Sequence, residues 1–150
     1  SHYWGCEMLG YKPDIITMAK QMGNGFPLAA VAVSKEVGAS MSKLTFSTYG
    51  GNPLAMAAGR EVIKVIDDER MQENSHNLGK LLMAGLTDLK NRYECVGDVR
   101  GSGLMMGLEI VTDKESKTPD NALFNDIFEK TKDYGLLLGK GGRFGNVFRI

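Results

Sequence analysis

The segment Pro13-Asp14-Ile15-Ile16-Thr17-Met18-Ala19-Lys20, followed by Met22-Gly23-Asn24-Gly25-Phe26-Pro27, decides how this chain is read. Ile15 to Ala19 is a short apolar, β-rich run. Pro13-Asp14 bounds it on one side and a glycine loop on the other, the pattern of a buried parallel strand. Lys20 stands at its C-terminal end, where open α/β sheets place their ligands. A lysine held there out of water is placed to attack a carbonyl. The same residue also reads as a solvated lysine at a strand end, and position alone leaves both readings open.

Outward from this segment, Leu28 to Val33 reads as a second buried strand, and Ser34 as the cap of a short helix over 35–43. Thr45 to Asn52 is a polar, glycine-containing loop. Asn52 then caps a helix with Pro53 at its first position, running to about Glu69. A longer helix is expected over 71–93, with Leu78, Leu82, Leu86, Leu89 and Tyr93 as its apolar stripe. Past Val96 the period changes to two. Leu104, Met106, Leu108 and Ile110 alternate with Met105, Gly107, Glu109 and Val111, as in a half-buried antiparallel strand. Thr118-Pro119 opens another helix, with Leu123, Phe124, Ile127, Phe128 and Thr131 on one face and Gly135 at its end. Leu136-Leu137-Leu138 and Val147-Phe148-Arg149 read as two short strands across a glycine-rich turn. The first half is therefore expected to be α/β and the second α+β, with domains at 1–75 and 76–150.

Composition narrows the function classes. The chain has 150 residues with 18 basic and 18 acidic side chains, and this zero net charge argues against a nucleic-acid binder with a broad basic footprint. Apolar residues at 43% and charged residues at 24% suit a globular core rather than disorder. No stretch approaches the length of a membrane span, and no signal peptide is visible. Cys6 and Cys95 make neither a disulfide framework nor a zinc set, which points to a reducing compartment; His2 and His76 are too sparse for a metal site. Both ends read as cuts through a longer protein. Glycine is the unusual entry, at 19 residues with only 4 prolines and no repeat, so the glycines mark turns and close approaches.

Three further constellations stand out. Ser47-Thr48-Tyr49-Gly50-Gly51-Asn52-Pro53 sets hydroxyls and glycine amides before a helix N-terminus, as an anion site would. It also reads as an ordinary capped helix start. Val99-Arg100-Gly101-Ser102-Gly103 reads first as a glycine turn whose arginine pairs with a nearby carboxylate. Arg149, between Phe148 and Ile150, is either an outward charge or a fork aimed at a carboxylate.

Their order and wording resemble the class III aminotransferases, pyridoxal-phosphate enzymes of fold type I. The segments concerned are Pro13 to Lys20 with Gly23 to Val31, Ser47 to Pro53, Val96 to Leu104, and Val147 to Ile150, which together run over nearly the whole chain. Within the family, Met18-Ala19-Lys20, Gly23 to Pro27 and Gly97 to Gly101 are most similar to the mitochondrial alanine–glyoxylate branch, with ethanolamine-phosphate phospho-lyases close by. The resemblance implies the C-terminal part of the cofactor-binding large domain over 1–75, followed by an incomplete α+β small domain over 76–150. It implies that Lys20 holds pyridoxal 5'-phosphate as a Schiff base and then moves the substrate proton. It places Thr48, with Ser47 and neighbouring amides, on the cofactor phosphate across a homodimer or dimer of dimers, and Arg149 on the substrate carboxylate. The implied substrates are small amino and oxo acids, alanine donating to glyoxylate or pyruvate in two half-reactions. No nucleic acid, membrane or metal is implied, and the location implied is mitochondrial. The aspartate that pairs with the cofactor ring nitrogen is expected upstream of Ser1, so the 150 residues alone are expected to be inactive. The rival readings are a phospho-lyase acting on phosphoethanolamine-like substrates through the same lysine, a non-catalytic fragment, and a phosphate binder in which Lys20 is idle.

Overall fold

The computed structural model describes residues 2–150; Ser1, the first residue of the aromatic opening stretch, lies outside the described residues. The chain separates into two compact units between Gln72 and Glu73.

In the first unit, α1 (Gly5–Met8) precedes β1 (Ile15–Met18), a 3₁₀ turn over Lys20–Gly23, β2 (Ala30–Val33), α2 (Lys35–Ala39) and α3 (Pro53–Asp68). The apolar runs do form strands, but not buried parallel ones. β1 and β2 pair antiparallel, with Ile15 opposite Val33 and Met18 opposite Ala30. The reason lies in the connection. Residues 19–29 contain only a tight turn and a loop, whereas parallel neighbours need a crossover of a dozen or more residues, usually helical. The pair forms a sheet of two strands, so much of its apolar surface stays exposed, including Ile15 and Val31.

The helix caps behave as their residue types require. Ser34 Oγ accepts from Val37 N at 3.4 Å, although the helix it starts stops at Ala39. Asn52 Oδ1 accepts from Ala55 N at 2.9 Å, with Pro53 at the first helical position. Helix α3 packs on the 3₁₀ turn, with a Cβ at Gly59 meeting the Met22 carbonyl oxygen at an ordinary 3.6 Å and colliding with the Leu28 side chain of the loop that follows.

The second unit contains most of α4 (Met71–Arg92), then β3 (Val96–Ser102), β4 (Met105–Ile110), α5 (Asn121–Asp133), β5 (Gly139–Gly141) and β6 (Val147–Arg149). Its sheet has the order β3-β4-β6-β5 and is antiparallel throughout. The period-two reading holds for Met106, Leu108 and Ile110, which are buried and with Leu86, Val96, Phe124 and Phe148 form the core between helices and sheet, whereas Leu104 is exposed ahead of β4 and Val111, expected on the other face, is buried too. Asn146 is buried as well, donating from Nδ2 to the Ile110 carbonyl at 2.7 Å, which satisfies the polar group and fixes the entry to β6. Gly79 of α4 lies so close to the β3–β4 turn at Gly103 that a Cβ would strike the turn backbone, and Ser75 Oγ accepts from Leu104 N at 3.2 Å beside it.

Besides the later start of β2 and the early stop of α2, two boundaries in the second unit differ from the sequence reading. Helix α5 starts after Asp120, whose Oδ1 accepts from Leu123 N at 2.9 Å, not at Thr118-Pro119. Residues 118–120 are held extended against 110–112 by the Val111–Pro119 bridge and by Thr112 N donating to Thr118 O at 2.9 Å. Leu136-Leu137-Leu138 is not a strand. Gly135 (φ 76°) ends α5, and Leu136 N returns to Thr131 O at 2.9 Å, so Leu136 closes the helix while strand pairing begins at Gly139.

Candidate active site

Lys20 follows β1 directly and opens the 3₁₀ turn. Its backbone lies in the left-handed region at φ 62°, as does that of Asn24 at 44°. Such a conformation is uncommon for a residue with a Cβ and costs about 1 kcal/mol or more, so it points to a constraint beyond local preference. The side chain is exposed, as in the solvated strand-end reading and not the buried one, because the two-stranded sheet does not cover it. Among the described residues, no group forms an ion pair or hydrogen bond with the Lys20 amine.

The loop before α3 is shaped by its own side chains. Ser47 Oγ accepts from Gly50 N at 3.1 Å, Asn52 Nδ2 donates to Tyr49 O at 3.1 Å, and Gly51 turns at φ 70°. Asn52 takes the Ala55 N–H and Pro53 has none, so most of the anion-binding capacity expected of a helix N-terminus is used internally. What the loop offers a phosphate is the Ser47 and Thr48 hydroxyls and nearby free amides. Around them, Leu44, Phe46 and Tyr49 are 99%, 89% and 82% exposed. No hydrogen bond joins Lys20 to Ser47 or Thr48. A broad apolar cavity of this unit is lined by Ala19 and Gln21, which flank Lys20, and by Gly51 of the loop, but not by Lys20, Ser47 or Thr48.

Arg149 belongs to the other unit, exposed in β6 between β4 and β5. Among the described residues no carboxylate pairs with it. Arg100 makes the carboxylate pairing of its blander reading, but from inside strand β3 rather than from a glycine turn: NH1 meets Asp98 Oδ2 at 3.0 Å and Glu109 Oε2 at 2.6 Å, and these hydrogen bonds, Glu109 foremost, raise the guanidinium pKa above its ordinary value. At Asp98 burial works to raise the carboxyl, but hydrogen bonds from Lys90 (3.1 Å) and Arg100 prevail and hold it below the usual aspartate value. The sequence reading missed the two glycines directly opposite Arg149, Gly107 and Gly139. Strand register brings these three together, and no motif marks it.

An unpaired primary amine, two hydroxyls beside free amides and an unpaired guanidinium suit a phosphorylated carbonyl cofactor and a carboxylate substrate, so the residues present fit pyridoxal 5'-phosphate. The class III aminotransferase model matches residues 2–150. The chain is 47% identical over 150 residues to the mitochondrial alanine–glyoxylate aminotransferase 2 homolog 2 of Arabidopsis thaliana, covering 99% of this chain and 31% of that protein. It superposes on an Arthrobacter phospholyase in complex with phosphoethanolamine with a TM-score of 0.94 and 34% identity, covering 100% of this chain and 36% of the other. An amine transaminase from an uncultivated Pseudomonas species, in its PLP-bound form, gives a TM-score of 0.85 at 30% identity over 96% of this chain and 34% of that one. The chain thus spans about a third of the length of the proteins it matches. Its mixed helix-and-sheet architecture is that of the PLP-dependent transaminases, and it belongs to the class III aminotransferase family.

Proposed function

We propose that this chain supplies Lys20 and Arg149 to a pyridoxal 5'-phosphate-dependent transamination that moves an amino group from alanine, or a related amino acid, to glyoxylate or pyruvate. The observation that carries the reading is Lys20: an unpaired, solvent-facing amine held at φ 62° at the strand-to-loop junction of a class III aminotransferase chain.

The cofactor, when bound, supplies an electrophilic carbonyl and an electron-withdrawing ring that acidifies the substrate Cα–H. Lys20 Nζ would hold the cofactor covalently, and as a free amine it would take and return the proton at the substrate Cα. Arg149 binds the substrate carboxylate as a bidentate fork, for which its unpaired guanidinium is suited. Thr48 and Ser47 bind the cofactor phosphate of the partner subunit in a homodimer. The exposure of Leu44, Phe46 and Tyr49 supports this role, because such an apolar patch marks a contact surface. The enzyme acts in mitochondria, the location that the name of the Arabidopsis relative carries.

A phospho-lyase acting on phosphoethanolamine-like substrates is the second reading, favoured by the TM-score of 0.94 to the Arthrobacter protein. The 47% identity to an alanine–glyoxylate relative, against 42% to the ethanolamine-phosphate phospho-lyase homolog 1 of Caenorhabditis elegans, supports the transamination reading ahead of it. The test is borohydride reduction of the full-length protein with pyridoxal phosphate, followed by peptide mapping. The label is expected on Lys20. Lys20→Ala is expected to lower turnover roughly a thousandfold or more. A Lys20→Ala enzyme that kept both cofactor absorbance and turnover would sink the assignment. Phosphate release from phosphoethanolamine, without amino transfer to glyoxylate or pyruvate, would establish the second reading.

A further inference from the structure

Arg149 has a glycine directly opposite it on both neighbouring strands, Gly107 of β4 and Gly139 of β5. Opposed residues of antiparallel strands project from the same face. The row across the sheet therefore reads Arg100, Gly107, Arg149, Gly139, and neither adjacent strand places a side chain beside Arg149 in that row. Glycine weakens a strand interior and marks a close approach. Backbone conformation does not explain these two, since neither adopts positive φ.

At Gly139 the approaching group is Arg149 itself. A Cβ there would sit 3.0 Å from Arg149 Nε, 3.1 Å from its carbonyl oxygen and 3.3 Å from its Cβ. Nε is the atom at which the aliphatic stem becomes the guanidinium plane, so the side chain passes over the bare backbone of β5. At Gly107 the nearest atoms a Cβ would meet are Val147 Cγ1 at 3.3 Å and the Arg100 carbonyl oxygen and Cγ at 3.8 and 3.9 Å. Charge separates the two arginines of the row. Arg100 is engaged by Asp98 and Glu109, whereas Arg149 has no carboxylate partner among the described residues.

We propose that Gly139 is a positioning residue for the substrate carboxylate: its bare backbone sets the path of the Arg149 side chain and so the aim of the guanidinium, while Gly107 keeps the opposite flank clear. This rests on the reading of Arg149 as the carboxylate-binding residue. A side chain at 139 displaces the guanidinium without removing its charge, so substrate binding weakens while the proton-transfer step at Lys20 is untouched.

The test uses the full-length, cofactor-loaded enzyme carrying Gly139→Ala, Gly139→Val or Arg149→Ala. Gly141→Ala serves as a control on the same strand, because a Cβ there meets Arg149 Cβ only at an ordinary 3.9 Å. The measurements are kcat and KM for alanine, the inhibition constant of propanoate as a bare carboxylate, the cofactor absorbance and the melting temperature. Gly139→Ala is expected to raise the KM and the inhibition constant roughly tenfold, and Gly139→Val more, with kcat, absorbance and melting temperature held. Gly141→Ala is expected to behave as the parent. Should Arg149→Ala raise both constants while Gly139→Val leaves them unchanged, the positioning role is overturned and the reading of Arg149 stands. A Gly139→Val enzyme that loses kcat and melting temperature at constant KM shows a structural role only, which also overturns the proposal. Should Arg149→Ala itself leave both constants unchanged, the reading of Arg149 fails and the inference falls with it.

Discussion

Lys20 and Arg149, the side chains proposed to act on cofactor and substrate, are held in different ways. Lys20 carries its constraint in the backbone, at φ 62°, where glycine would be at ease and lysine is not. Arg149 lies in regular strand, and its constraint comes from the strands beside it. The ion network around Asp98 is a third kind of site, in which geometry fixes a charge. Because its folded-state pKa is depressed, the Asp98 carboxylate contributes stability above the ordinary aspartate value of 3.8, and that contribution disappears as pH falls through the folded-state value. Asp98→Asn is therefore expected to unfold at lower denaturant than the parent at pH 7, with the gap closing as the pH drops below about 4. Two curves that run parallel down to acid would show that the Lys90–Asp98–Arg100 contacts contribute nothing. Of this network, Arg100 and its need for a nearby carboxylate were legible in the segment Val99 to Gly103. Its partner Glu109 was not, because the pairing of β3 with β4 supplies it.

Elements were most legible where their signals are local. Asn52-Pro53 marks the start of α3 because both the cap and the fixed proline φ act within one turn. Asn52→Ala is expected to cost about 1 kcal/mol, and Asn52→Gly only a few tenths, measured as a shift in urea midpoint at unchanged slope. Equal losses from both substitutions would mean that the side-chain bond to Ala55 N is idle. Elements were misplaced where a distant segment competes. Thr118-Pro119 resembles a helix start, but pairing with residues 110–112 holds it extended. Leu136 to Leu138 resembles a strand, but the turn that closes α5 takes Leu136.

For the molecule as a whole, the second unit rests on an aromatic centre. Phe124 is fully buried, with its ring 4.4 Å from Phe148 and 5.7 Å from Phe128. Phe124→Ala is expected to destabilise the protein by roughly 3–5 kcal/mol, read as a loss of midpoint in urea denaturation followed by circular dichroism. A loss below about 1 kcal/mol would mean that neighbouring side chains refill the space. Among the described residues, the first unit has no comparable centre. Its fully or nearly buried positions are small, Gly23, Ala55 and Gly59, and large apolar residues such as Leu44, Phe46 and Leu54 face outward.

Local sequence was enough to read the helices with local caps, the period-two strand β4, the lysine at the strand end and the family to which these motifs belong. These are encoded within a few residues of one another, so hydrophobic period, cap chemistry and word order suffice to read them. Tertiary structure alone decided the antiparallel pairing of β1 with β2, the boundaries of α5 and β5, the exposure of Lys20, and the glycines on either side of Arg149. Each of these depends on which strand lies next to which. Register is set by contacts between residues far apart in the chain, and no local pattern records it.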